Sequence, residues 1–339
     1  QHRMAEMIAK MGIHVLTDDI VRAEDIDISE THFLSQWSYP NRIMKAAKWC
    51  TKQKVKIPFV QMTSFGCGPD AFICDEVRDF LLRNKCPYAL LKLDDINNVG
   101  SMILRVRSLL ESMKMITEQS HLLTAATPFK TTPIYDNTFR NRKILVPFFT
   151  TYISPLIPSV FRVVGYDVET LPLSDEVSCE CGLKYANNEV CYPATLVIGD
   201  VIKAFESKRY DPSECVIAIT QTGGQCRASN YLPMLKKALL DAGYADVPVI
   251  SITFGDDLGN LQPAFKVNWV EVLPIAIRAV LYSDCISKFY YASVVRETSK
   301  GAALRLREEY LQKGATLIER KQSNRLYNYL ALAAKDFDA

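Results

Sequence analysis

The stretch Val216-Ile217-Ala218-Ile219-Thr220-Gln221-Thr222-Gly223-Gly224-Gln225-Cys226-Arg227-Ala228 passes from an apolar run, through paired glycines, to a cysteine that opens a helical pattern. A short apolar run bounded by turn residues reads as a buried strand. The same order recurs upstream in Val60-Gln61-Met62-Thr63-Ser64-Phe65-Gly66-Cys67, which leads into a helical pattern from Pro69. Strands alternating with helices imply a parallel sheet wound on both faces. In such sheets ligands bind beyond the carboxyl ends of the strands, the position that Cys67 and Cys226 take in the two copies. Two halves facing each other at that rim could share one site.

Outward from these copies the alternation continues. Met4 to Met11, Tyr39 to Lys52, Pro69 to Asn84 and Gly100 to Lys114 read as helices, and Ile13 to Leu16, Ile57 to Met62 and Tyr88 to Leu93 as strands. They make a first α/β domain over residues 1–115. Regularity weakens over 116–142, where Pro128, Thr131, Thr132, Pro133, Asp136 and Asn137 collect, the composition of a linker or crossover. A second α/β domain covers 143–299, with strands at Ile144 to Phe149, Asp167 to Leu171, Val216 to Thr220 and Val247 to Phe254. Its helices are Pro155 to Val164, Pro193 to Ser207 and Arg227 to Ala242, with Gly165 and Gly243 placed to close two of them. The apolar stretch from Val267 to Val295 reads as a long buried helix, and a charged helical tail covers 300–339. The expected class is α/β, two doubly wound parallel-sheet domains with a long C-terminal helical segment.

Composition excludes several functions. At 339 residues, about one domain per 150 residues suggests two, each large enough for its own core. The net charge of +2 gives no broad attraction to nucleic acid or to an anionic membrane. No apolar run reaches the roughly 20 residues of a membrane helix, since Glu271, Arg278, Asp284 and Lys288 interrupt the nearest candidate. The chain opens Gln1-His2-Arg3-Met4 with no signal peptide and reads as a piece of a longer polypeptide. Ten cysteines without a secretory signal fit a reducing cytoplasm, where they serve as thiols or ligands.

Three of the ten share one setting. Cys67, Cys191 and Cys226 each stand in a glycine- or turn-rich stretch at the start of a helical pattern. Free backbone N–H groups and the partial positive charge of a helix N-terminus push a thiol there toward thiolate, the form that binds metal. That is the pattern of a metal or iron–sulfur site; equally, the glycines serve strand-to-helix turns, and the separations match no standard ferredoxin spacing. Cys50, Cys74, Cys86, Cys215 and Cys285 read as buried apolar residues, Cys285 the least securely because of its polar neighbours Asp284 and Ser287. Cys179 and Cys181 form a Cys-x-Cys pair in a Ser/Asp/Glu-rich loop, too close for zinc spacing, and none of the four histidines stands in a paired spacing. Gly223-Gly224 lacks the Lys-Ser/Thr of a P-loop, and no nucleophile elbow is present. Phe148 to Thr151 and Lys184 to Glu189 are candidate walls for the pocket that holds Cys191.

The segments Gln61-Met62-Thr63-Ser64-Phe65-Gly66-Cys67-Gly68-Pro69-Asp70-Ala71-Phe72, Gly182-Leu183-Lys184-Tyr185-Ala186-Asn187-Asn188-Glu189-Val190-Cys191-Tyr192-Pro193-Ala194 and Gln221-Thr222-Gly223-Gly224-Gln225-Cys226-Arg227-Ala228-Ser229-Asn230-Tyr231 resemble the C-terminal region of large acyl-CoA dehydratase activase-related proteins. The resemblance extends over nearly the whole chain, including Asp284 to Tyr291. It implies flavodoxin-like domains of the 2-hydroxyacyl-CoA dehydratase type and an iron–sulfur cluster of 4Fe-4S or double-cubane type. Cys67, Cys191 and Cys226 would be the ligands. It further implies a partner, an ATP-dependent activase on the same or a separate polypeptide, that supplies low-potential electrons, and an acyl-CoA as substrate. Against the resemblance, the activase ATPase modules are absent here, and the first domain reads as lacking the family's opening strand and the upstream cysteines of its own half. Two other readings stand beside this one: a non-catalytic docking or regulatory domain that binds the activase or an acyl-CoA, and a structural zinc site.

Overall fold

The computed structural model describes residues 3–32, 37–55, 57–63, 70–93, 99–118, 128–187, 189–221, 227–253 and 260–338. Packing divides the chain into two units that interleave along the sequence. One comprises Gln1–Thr131, Ala186–Thr195 and Thr222–Leu240, the other Thr132–Tyr185, Leu196–Gln221 and Asp241–Ala339. These are not the contiguous segments read from the sequence, because the stretches around Cys191 and after β-strand 215–220 pack with the N-terminal unit.

The first unit contains helices α1 (Met4–Ala9) and α2 (Ser38–Thr51), strand β1 (Phe59–Thr63), helix α3 (Asp70–Arg83), strand β2 (Tyr88–Lys92) and helix α4 (Val99–Glu118). Strands β1 and β2 run parallel, from Phe59 opposite Tyr88 to Thr63 opposite Lys92. Successive side chains of a strand point to opposite faces, and the two faces find different partners. Phe59 and Tyr88 pack with Met44 of α2 and Ile73, Val77 and Phe80 of α3. Val60 and Leu91 pack with Met4 of α1 and Met102 and Val106 of α4. Helix α3 forms because Phe72, Ile73, Val77, Phe80 and Leu81 recur at helical spacing. Asp70 in its first turn and Arg83 in its last complement the helix dipole. The strand expected at Ile13 to Leu16 is not formed. Val15 and Leu16 are exposed, and no strand among the described residues pairs with this short run, so the apolar pattern has no sheet to join.

The second unit holds strand β3 (Lys143–Val146), helix α5 (Ile157–Arg162), strand β4 (Val168–Thr170) and helix α6 (Glu176–Tyr185). Helix α7 (Tyr192–Glu206) follows, beginning in a segment of the first unit, then strand β5 (Cys215–Thr220), helix α8 (Tyr231–Asp241), which belongs to the first unit as far as Leu240, and strand β6 (Val249–Ile252). Helices α9 (Trp269–Ser293), α10 (Ala302–Glu319) and α11 (Leu326–Asp338) complete the chain. The four strands form one parallel sheet in the order β4-β3-β5-β6. Its order reverses between β3 and β5, the switch point of an open α/β sheet. Cys215 to Ile219 of β5 are all buried, as a parallel strand covered on both faces requires. Ile144, Val168, Val216, Ala218 and Ile250 pack there with Tyr135 and Tyr166. Tyr135, inside the stretch expected to link domains, is therefore core.

Gly165 and Gly243 take φ of +84° and +85° at the ends of α5 and α8, as their capping role demands. Two expectations need correction. Cys179 and Cys181 lie on helix α6, not in a loop. Asp175 and Ser178 cap that helix reciprocally, Asp175 Oδ1 accepting the Ser178 N–H at 3.0 Å and Ser178 Oγ accepting the Asp175 N–H at 3.2 Å. Helix α9 is buried on one face only: Val272, Ile275, Ala279, Tyr282 and Ile286 pack on α10 and α11, whereas Val270 is 86% exposed and Ile277 and Val280 are also exposed. Among the described residues, no helix is long and apolar enough to cross a membrane.

Candidate functional site

Of the three singled-out cysteines the structure places Cys191; Cys67 and Cys226 lie outside the described residues. Cys191 immediately precedes α7, and its carbonyl accepts the first helical N–H groups, from Ala194 at 2.9 Å and Thr195 at 3.3 Å. Pro193 in the first turn gives up an N–H that no helix carbonyl would have met. Cys191 is only partly buried, and its Sγ lies 2.8 Å from the Tyr231 hydroxyl. Tyr231 opens α8, five positions after Cys226.

The loop before Cys191 is tied down at both ends. Asn187 folds it through an Asx turn, its Oδ1 accepting the Glu189 N–H at 2.7 Å. The Asn187 Nδ2 donates to the Ala71 carbonyl at 2.6 Å, in the first turn of α3. Ala71 stands four positions after Cys67. Glu189 pairs with Lys92 at the end of β2. On either side of the stretch that carries Cys67, Thr63 Oγ1 donates to Asp70 Oδ2 at 2.9 Å. The described flanks of Cys67 and of Cys226 are thus both bonded to the segment of Cys191, all within the first unit.

Of the other described cysteines, Cys74, Cys86, Cys181 and Cys215 are buried, whereas Cys50 and Cys285, expected in the core, are only partly buried, as is Cys179. Burial pushes the Cys50 and Cys74 thiols up to about 12, with Cys86 adding to the effect on Cys50 and Asp70 to that on Cys74. Cys74 accepts from Gln61 Nε2 at 3.3 Å, and Gln61 in turn accepts from Tyr88. Cys86 donates to the Ile57 carbonyl at 3.3 Å. Burial pushes Cys215 and Cys181 up to about 11, Glu206 reinforcing it at Cys181. Cys179 and Cys181, two apart on a helix, point about 200° away from each other and cannot close on one ion. All eight described cysteines are free thiols.

A cavity of about 30 Å³ lies in the same unit, lined in part by His32, Asp75, Glu76, Asn187, Asn230 and Lys237. Its lining draws on α3, on the loop before Cys191 and on α8. Of the stretches expected as pocket walls, Asn187 contributes; Phe148 to Thr151 belong to the second unit, where Ser154 Oγ accepts the Phe149 and Thr150 N–H groups at 2.9 and 3.0 Å. Glu76, His32 and Lys237 were not among the sequence candidates. A signal existed: Phe72, Glu76 and Phe80 fall at i, i+4 and i+8, which sets Glu76 on the apolar face of α3.

Among the described residues, no three histidine, cysteine or carboxylate side chains are gathered as ligands of one ion. The donor chemistry at Cys191 fits a thiolate ligand: a partly exposed sulfur at a helix start with a hydroxyl at hydrogen-bond distance. No known protein family, curated protein or solved structure matches the chain.

Proposed function

We propose that the chain is an iron–sulfur electron-transfer or reductase module of the 2-hydroxyacyl-CoA dehydratase or double-cubane kind. Cys67, Cys191 and Cys226 are its ligands, and an ATP-dependent activase is the source of its electrons. One observation carries this reading: the segment of Cys191 is bonded through Asn187–Ala71 and Cys191–Tyr231 to the described segments that follow Cys67 and Cys226 in the sequence, all in one unit. A cluster bound there would supply a low-potential electron for a hard reduction such as that of a thioester carbonyl. The protein's own part is positional. Helix α7 presents Cys191 with its N-terminal dipole behind the sulfur, Tyr231 fixes the sulfur's direction, and Asn187 holds the loop against α3. The sheet order β4-β3-β5-β6 supports the flavodoxin-like reading of the second unit. Acyl-CoA as substrate and a reducing cytoplasm as location belong to the same proposal.

Anaerobic reconstitution followed by iron and sulfide analysis and EPR tests it. Wild-type protein is expected to bind iron and sulfide. Cys191→Ser is expected to abolish the EPR signal, while Cys215→Ser in the core of β5 leaves it unchanged. Equal loss in both variants, or no iron in the wild type, overturns the ligand assignment. A chain that still binds its activase after all three cysteines are replaced is a docking domain instead.

A further inference from the structure

Glu76 is 6% exposed in the middle of α3. Its Oε1 accepts the His32 backbone N–H at 3.0 Å. Among the described residues no cation stands within ion-pair distance of it, whereas Asp75 and Asp79 on the same helix pair with Lys237 at 3.6 and 3.0 Å. An ionised carboxylate without a counter-charge is costly to bury, and keeping the proton avoids that cost. The adjoining cavity, about 30 Å³, has room for one or two water molecules and no organic ligand.

Among the described residues, the charged and titratable groups near the carboxyl come from four elements. Its own helix carries Asp75, Asp79, Arg78 and Arg83. Helix α2 presents apolar Met44 and Ala47. Helix α8 brings Lys236 and Lys237, and in the Cys191 loop Glu189 is engaged by Lys92. From the segment before α2 comes His32, its ring 4.7 Å from the Phe129 ring, with the Arg83 guanidinium 5.0 Å from that same ring. Burial, helped by Arg83, pushes His32 down to about 4, so at neutral pH it offers no cation. Burial likewise pushes Glu76 up to about 7, the His32 N–H and Arg83 pulling against it.

We propose that this cavity is a proton-exchange site, in which the Glu76 carboxyl passes a proton to, and takes one back from, a water molecule held beside it. In the outward step the Glu76 O–H bond breaks and the proton leaves through water to solvent. The electron pair stays on the carboxylate, held by the His32 amide and, at longer range, by Arg83; the inward step is the reverse. No oxidant or reductant enters, and the site stands apart from the cluster reading because its test needs no metal.

The test is NMR of the full chain labelled with carboxyl-13C glutamate and with 15N, followed from acid to alkaline pH. One glutamate is expected to titrate near neutrality, and the His32 amide shift is expected to follow the same midpoint. Glu76→Gln removes that transition, and Arg83→Gln moves its midpoint upward. A cross-relaxation signal between the His32 amide and water reports the water. The proposal fails if no glutamate titrates above the ordinary carboxylate range, if Glu76→Gln leaves the transition in place, or if the His32 amide sees no water. Should Glu76→Gln not fold, an Arg83→Gln midpoint that does not rise overturns it as well.

Discussion

Asn187 does two jobs with one side chain, and they can be separated by mutation. Its oxygen makes the Asx turn to Glu189 and its nitrogen reaches Ala71. Asn187→Ala deletes both bonds and is expected to cost about 1–2 kcal/mol in urea unfolding, at roughly 1 kcal/mol per net hydrogen bond. Asn187→Asp keeps the turn but sets a carboxylate oxygen against the Ala71 carbonyl. It is therefore expected to be the worse of the two. A smaller loss for Asp than for Ala would mean that the turn, not the tie to α3, holds the loop. Residues of this kind were only half legible in the sequence. The turn chemistry around Asn187 to Pro193 announced a helix start at Cys191, but the partner of the amide lies more than a hundred positions away and no local pattern names it. Glu76 was legible by its place at i+4 from Phe72 and i−4 from Phe80, a polar residue on an apolar stripe. Beside Asp75 it reads instead as one of two solvated helix acids.

At the scale of elements, close approach between helices is set by two glycines. A Cβ on Gly314 of α10 would lie 2.6 Å from Cε1 of Tyr282 on α9. That ring cannot swing away, since it is 1% exposed and its hydroxyl donates to the Tyr310 carbonyl at 2.7 Å. Gly314→Ala gains up to about 1 kcal/mol of helix propensity. Overpacking costs about 1–3 kcal/mol, so a net loss in urea unfolding is expected. At Gly199 of α7 a Cβ would come within 1.7 Å of the Ser178 carbonyl oxygen, which is backbone of α6. Gly199→Ala must separate two helices and is expected to lose more than Gly314→Ala; the opposite ranking would show α6 free to shift. Strand and helix positions followed largely from periodicity, because β-branched runs such as Val216 to Thr220 and stripes such as that of α3 are local signals. Helix α6 escaped because Ser178, Glu180 and Gly182 read as loop residues. What makes them helical is the Asp175–Ser178 cap and the fit of Gly199, neither visible as a period. Ile13 to Leu16 failed in the other direction, an apolar run with no strand to pair with.

For the molecule as a whole, the buried Glu76 and the partly buried His32 that line the cavity predict an unusual pH profile. Glu76 titrates higher in the folded chain, about 7 against 4.5, so its contribution is full below 4.5 and is lost as pH rises through 7. His32 titrates lower, about 4 against 6.5, so its contribution is full above 6.5 and is lost as pH falls through 4. Between about 4.5 and 6.5 the slopes have opposite sign and cancel, each amounting to about 3 kcal/mol across its window. Glu76→Gln should expose the His32 slope, with stability rising as pH rises across that window. His32→Asn should expose the Glu76 slope, with stability falling. Urea midpoints at several pH values check both, and a flat profile in either variant would mean that its remaining group is not shifted. The division into units was the least legible feature at any scale, since it depends on which distant segments pack together, and a contiguous reading of the chain has no access to that.

The chain passes between the two units after residues 131, 185, 195, 221 and 240. Synthesis from the N-terminus therefore leaves the first unit open until residue 240 has cleared the ribosome. By then the second unit has received three of its four strands. Neither half can be finished before the other is well begun, so a truncation anywhere between 131 and 240 removes parts of both at once.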